Sequence, residues 1–184
     1  FDIPVYTDVP DFYKKLPVQV HAIKNDWYGK INYHFRLKQA VVYENSFKYE
    51  KTIWIDTDTF FKKSPKLLFD KITEKNQLCN SKHYSTLKEL DLRVKKALIQ
   101  EDLLKDNFVY LNSGVIGISH ESVGILKKSI EIIDKLHPKL SFYYTLEELA
   151  LALAVSLDDV ESIDCVEVIH HYWSRKAIFR TKAE

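Results

Sequence analysis

Ile53-Trp54-Ile55-Asp56-Thr57-Asp58-Thr59 is an apolar run that ends in two acids two positions apart. With Thr52 in front, the run Thr52-Ile53-Trp54-Ile55 is continuous, the mark of a parallel strand covered on both faces. Residues i and i+2 of a strand point to the same side, so Asp56 and Asp58 at its end present both carboxylates to one point. One divalent cation would bridge them. Hard oxygen ligands suit Mn2+ or Mg2+, and the chemistry that calls for such an ion is departure of a diphosphate, whose growing charge the metal neutralises. Strand-end acids also cap turns and helices, so the pair has a structural reading beside the chemical one.

Outward from this run, strands alternate with helices. Upstream, Val5-Tyr6-Thr7 and Val18 to Ile23 are β-branched runs separated by a Pro-containing turn and predict two strands. Ile31 to Phe47 carries Phe35, Ala40, Val42, Tyr43 and Phe47 at helical spacing. Downstream, Ser64 as N-cap and Pro65 at the first helical position open a helix with Leu67, Leu68 and Ile72 inward. Residues 74–106 are more polar and read as a variable insert, with a helix through Leu87, Leu90, Val94 and Leu98. Phe108 to Leu111 and Val115 to Ile118 predict strands on either side of Asn112-Ser113-Gly114, with Gly114 there for a positive φ. Val123, Leu126, Ile130 and Ile133 predict an amphipathic helix ending before Pro138. Thr145 and Glu148 have capping-box spacing ahead of an apolar helix, and Ile163 to Ile169 predicts a last strand. The alternation implies an α/β domain whose ligands sit at strand ends.

The 184 residues fit one domain able to bury a core. Lys and Arg number 27 against 26 Asp and Glu, so the balanced charge leaves no footprint for nucleic acid. Cys79 and Cys165 stand far apart without CxxC spacing, which suggests neither a disulfide framework nor a zinc site and fits a reducing, cytoplasmic setting. No apolar run is long enough to span a membrane and no export signal opens the chain. The absence of Met is read as the mark of a chain whose N-terminus is missing.

The acidic strand end resembles the DxD motif of the GT-A glycosyltransferases, in the glycogenin-like and lipopolysaccharide galactosyltransferase family. Phe35-Arg36-Leu37-Lys38 resembles that family's aromatic-Arg-Leu-Lys stretch, Leu111-Asn112-Ser113-Gly114-Val115 its strand break facing donor sugar and acceptor, and His171-Tyr172-Trp173-Ser174-Arg175-Lys176 its terminal His-x-x-Gly…Lys segment. The resemblance implies a GT-A three-layer sandwich around a mostly parallel mixed sheet, with a first strand-helix unit standing ahead of Phe1. It implies transfer of a hexose from a nucleoside diphosphate sugar, uridine-linked, to a glycan or lipid-linked acceptor hydroxyl. The metal, Mn2+ or Mg2+, would be held by Asp56, Asp58 and His171. Tyr6, Thr7, Arg36, Thr57, Asn112, Ser113, Trp173 and Lys176 would join Asp56 at the donor, and Glu147 and Glu148, the acids it places near the acceptor, are the candidates for a catalytic base.

Ser174 stands where the family has Gly, which leaves His170 as a competing ligand. Arg175, Arg180 and Lys182 read as a solvated face or as a peripheral membrane contact. Two other functions stay open. The Asp56-x-Asp58 strand end also resembles the nucleophile and acid of haloacid dehalogenase-type phosphohydrolases, with Asp158-Asp159 as their later acidic motif. A non-catalytic nucleotide-sugar-fold module is the other.

Overall fold

The computed structural model describes residues 2–86, 89–104, 107–158 and 160–172. Its centre is a four-stranded mixed sheet in the order β3 (Lys51–Ile55), β8 (Val115–Ser119), β5 (Asn76–Cys79), β9 (Glu161–Asp164). β8 runs antiparallel to both β3 and β5, and only the β5–β9 pair is parallel. Three two-stranded sheets flank it. β1 (Pro4–Thr7) lies parallel to β2 (Gln19–Ala22), while β4 (Thr59–Phe61) with β10 (Ile169–His171) and β6 (Lys82–Thr86) with β7 (Asn107–Leu111) are antiparallel.

The fold is therefore α/β with a mixed sheet, but the expectation of a mostly parallel one is corrected. The apolar run before Asp56 does signal cover on both faces, since Trp54 packs into one cluster and Ile53 and Ile55 into another. Cover on two faces does not set the direction of the neighbouring strand, and here that neighbour is antiparallel.

Six helices complete the described chain, α1 (Pro10–Tyr13), α2 (Arg36–Asn45), α3 (Lys66–Lys71), α4 (Leu92–Gln100), α5 (Gly124–Leu140) and α6 (Leu146–Leu157), with a 3-10 turn at Asn25–Tyr28. The larger core joins α2, α4, α5 and α6 to one face of the sheet through Cys79, Ile116 and Ile118. A second cluster joins Leu68 and Ile72 at α3 to Leu78, Val115 and Ile169 on the other face, and a third gathers Trp27, Leu37, Ala40 and Val41. Each Leu or Ile so buried contributes about 1.5–3 kcal/mol relative to exposure. Gly117 permits this packing, because a Cβ there would lie 2.9 Å from Leu78 Cβ. Helix α6 is buried all round from Leu146 to Val155, as befits a helix apolar on every side.

Several boundaries differ from the sequence reading. The helix expected over 31–47 begins only at Arg36, because Asn32 takes a left-handed φ of 51°, and Phe47 is exposed. Leu67 is exposed as well, and Ser64 makes no side-chain cap on α3. Helix α5 carries Pro138 within it and runs on to Leu140, held by the burial of Leu136 and Leu140. The stretch 74–106 supplies β5 to the interior of the sheet, and the strand expected over 163–169 is two strands separated by a turn in which Val168 and Ile169 N–H donate to Cys165 O. Cys79 and Cys165 are free and buried, and burial pushes both thiols up to about 12. No helix among the described residues is long and apolar enough to cross a membrane.

Candidate metal centre

The strand ladder continues one residue past β3, since Asp56 N–H donates to Gly114 O at 2.9 Å. That bond fixes where the Asp56 carboxylate stands. Trp54, on the same side of the strand two residues earlier, donates its indole N–H to Asp56 Oδ1 at 2.6 Å, and Lys38 Nζ donates to Asp56 Oδ2 at 2.8 Å. Thr59 Oγ1 then donates to Asp56 O at 2.7 Å and closes the turn that carries Asp58.

The third member arrives from the far end of the described chain. β10 pairs with β4, so that His171 lies opposite Thr59, and Tyr172 N–H donates to Asp58 O at 3.0 Å. His171 Nε2 is thereby 3.1 Å from Asp58 Oδ1 and 3.9 Å from Asp56 Oδ2. One ligand atom from each of Asp56, Asp58 and His171 lies within 4.8 Å of the others, a grouping that could hold a metal ion. His170 faces the opposite side of β10 and packs its ring 5.1 Å from that of Phe60, so strand alternation decides between the two histidines.

Behind His171 stands the break between β7 and β8. Asn112 Oδ1 accepts from Gly114 N–H at 3.1 Å and lies 3.1 Å from His171 Nδ1, while Asn112 Nδ2 donates to Glu148 Oε1 at 2.9 Å. The same Glu148 oxygen accepts from Ser113 N–H at 2.9 Å. Ser113 Oγ donates to Glu147 Oε1 at 3.2 Å, and Tyr33 OH donates to Glu147 Oε2 at 2.7 Å. Glu148 is thus no capping-box residue. Thr145 makes no side-chain cap, and its hydroxyl pairs with Tyr110. Nor does Gly114 take a positive φ; it is needed because a Cβ would fall 2.2 Å from His171 Nδ1.

These bonds fix protons. Because Asn112 Oδ1 accepts the Gly114 N–H, the amide orientation is set, and His171 Nδ1 opposite that oxygen must be a donor. His171 Nε2 stands at hydrogen-bond distance from Asp58 Oδ1, as a donor when it carries a proton and as a lone pair facing the carboxylate in the neutral ring protonated on Nδ1. Burial holds the His171 pKa below its ordinary value, against the opposing pull of Asp58 and Asp56. Burial likewise raises Glu147, and it lifts Glu148 to about 7, with the neighbouring Glu147 adding to the rise and the Ser113 N–H opposing it.

Other expected donor residues have contacts of their own or stand exposed. Arg36 grips Asp134 through Nε at 2.8 Å and Nη2 at 2.9 Å and donates from Nη1 to Trp27 O at 2.8 Å. Tyr6 stacks on His21 and donates its hydroxyl to Asn45, while Thr7 Oγ1 accepts from Val9 N–H. Thr57 is exposed in the turn between the two acids. Asp158, the later acid of the phosphohydrolase reading, pairs with Lys128. Trp173, Ser174, Lys176 and the remaining tail cations, on which phosphate and membrane contact rest, lie outside the described residues.

Lys38, Trp54 and Tyr33 are the members that sequence reasoning missed. Lys38 stands in the same four-residue stretch as Arg36, and positions i and i+2 of a helix face nearly opposite ways. Only one of the two cations can meet the strand end, and the heptad-like spacing of Leu37, Ala40 and Val41 on the buried side was the available signal. Compared with protein-family models, with curated proteins and with solved structures, the chain matches none.

Proposed function

We propose that this chain is the catalytic domain of a metal-dependent glycosyltransferase, moving a sugar from a nucleoside diphosphate sugar, uridine-linked, to a hydroxyl of a glycan or lipid-linked acceptor. The observation that carries this reading is the convergence of Asp56, Asp58 and His171, with His171 Nε2 3.1 Å from Asp58 Oδ1 and 3.9 Å from Asp56 Oδ2. A cation among these three groups would take one ligand atom from each. Oxygen from two carboxylates and one imidazole nitrogen suit Mn2+ or Mg2+. When bound, such an ion supplies Lewis-acid neutralisation of the departing diphosphate.

The remaining residues bind and orient. Lys38 Nζ, 2.8 Å from Asp56 Oδ2 and 3.5 Å from Ser113 Oγ, places a second positive charge where donor phosphate oxygens would lie. Asn112 and Ser113 line the sugar side, and Glu147 and Glu148 brace that turn from beneath. The phosphohydrolase alternative has less support because it makes no use of His171 or of the Asn112-Ser113-Gly114 break, which meet at this site.

The test is calorimetric titration of uridine diphosphate with Mn2+ and again with chelator, using Asp58→Ala as control. Binding that needs both the metal and Asp58 is the expected result. Binding indifferent to both, or phosphate release from simple phosphomonoesters that Asp56→Asn abolishes, would overturn it.

A further inference from the structure

We infer that Glu148, three side chains from the proposed cation, is the positioning residue that selects the His171 tautomer able to bind it; this rests on the cation-site reading above. Left to itself, a neutral His171 would turn its single proton toward the nearest anion, and Asp58 Oδ1 is 3.1 Å from Nε2. That arrangement would place a hydrogen where a metal must sit. What opposes it is the orientation of the Asn112 amide. With Oδ1 toward Nδ1, the amide holds the ring proton on the side away from Asp58; with the amide turned round, its NH2 would force the proton onto Nε2.

Two bonds hold the productive orientation. Gly114 N–H donates to Asn112 Oδ1 at 3.1 Å, and Asn112 Nδ2 donates to Glu148 Oε1 at 2.9 Å. Turning the amide would set Asn112 Oδ1 against the Glu148 carboxylate and orphan the Gly114 N–H, two losses in a buried place. Glu148 is itself fixed by Ser113 N–H at 2.9 Å and by its position in the first turn of the buried helix α6. The order Glu148, Asn112, His171 is a directional chain of acceptors and donors that ends at Nε2, the ring nitrogen that faces Asp58 and Asp56. Outer partners of this kind tune metal sites through ligand orientation.

The test joins two readouts. In metal-free, 15N-labelled protein at pH 8, ring nitrogen shifts of His171, assigned by their loss in His171→Gln, report which nitrogen carries the proton. Mn2+ titration reports affinity. Wild type is expected with the proton on Nδ1, and Glu148→Gln, which retains an acceptor oxygen, is expected to keep both tautomer and affinity. Glu148→Ala is expected to populate the Nε2–H form and to bind Mn2+ about 10- to 100-fold more weakly. Asn112→Ser gives the same comparison should Glu148→Ala fail to fold. A wild-type ring protonated on Nε2, or a Glu148→Ala protein with unchanged tautomer and affinity, overturns the role of Glu148. Wild type that binds neither Mn2+ nor Mg2+ overturns the cation reading instead, while the tautomer still decides the role of Glu148.

Discussion

Gly114 and His171 are in contact so close that one hydrogen of the glycine faces the imidazole, and a Cβ in its place would lie 2.2 Å from Nδ1 and 2.4 Å from Cε1. Neither partner can yield easily, since Gly114 is bonded to Asp56 N–H through its carbonyl and to Asn112 through its amide. Gly114→Ala is therefore expected to expel the His171 ring. The result should be a loss of about 1–3 kcal/mol in denaturant unfolding and a fall in Mn2+ affinity of at least about tenfold.

Lys38 is the counter-charge of Asp56 in the metal-free protein, with side chains only 13% and 18% exposed. Lys38→Gln leaves a half-buried carboxylate without its ion partner, at a cost of about 1–3 kcal/mol. Saturating Mn2+ should recover more stability in this variant than in wild type, because the ion then meets an uncompensated charge. Thermal unfolding with and without Mn2+ reads the difference, and an identical metal-induced shift in both proteins would refute it.

Glu148 gives the protein a pH dependence whose sign follows from its raised pKa. The unfolded carboxyl titrates near 4.5 and the folded one near 7. Its stability contribution is complete below the unfolded value and is lost as pH rises through the folded one, to a total of about 3 kcal/mol. Stability in urea should fall between pH 5 and pH 8, and Glu148→Gln should flatten that fall while keeping acceptors for Asn112 and Ser113. A wild-type profile already flat over this range contradicts the assignment.

Arg36 is a structural clamp in this fold. Arg36→Ala is expected to cost about 1–3 kcal/mol through loss of Asp134 and of the Trp27 carbonyl contact. Mn2+ affinity should be unaltered, and a large drop in it would mean that Arg36 reaches the acidic site.

Much of this arrangement could be read from residues alone. The acids after Ile55, the break at Asn112-Ser113-Gly114 and a histidine near the chain end are local patterns, and the structure brings all three together. What escaped was set by partners distant in sequence. Strand direction beside β3 depends on β8, and nothing within Thr52 to Ile55 encodes it. The choice of Lys38 over Arg36 depends on which side of α2 meets the sheet. Glu148 has the spacing of a helix cap, but its carboxylate finds a better offer of donors at Asn112 and Ser113, 36 and 35 residues away. Gly114 was legible as a glycine that matters; its reason, a ring from a strand much later in the chain, was not.

Asp58 and His171 are 113 residues apart, and they meet only because β4 and β10 zip together. Their meeting closes a loop that contains nearly the whole of the two larger cores, so chain-closure entropy opposes it until those cores are formed. The ligand set therefore does not survive in any partly folded species that has β4 and β10 separated. Occupancy by a cation would stabilise the domain as one cooperative unit, by an amount that grows with ion concentration. Any cation held here would be lost with the undocking of a single three-residue strand, β10.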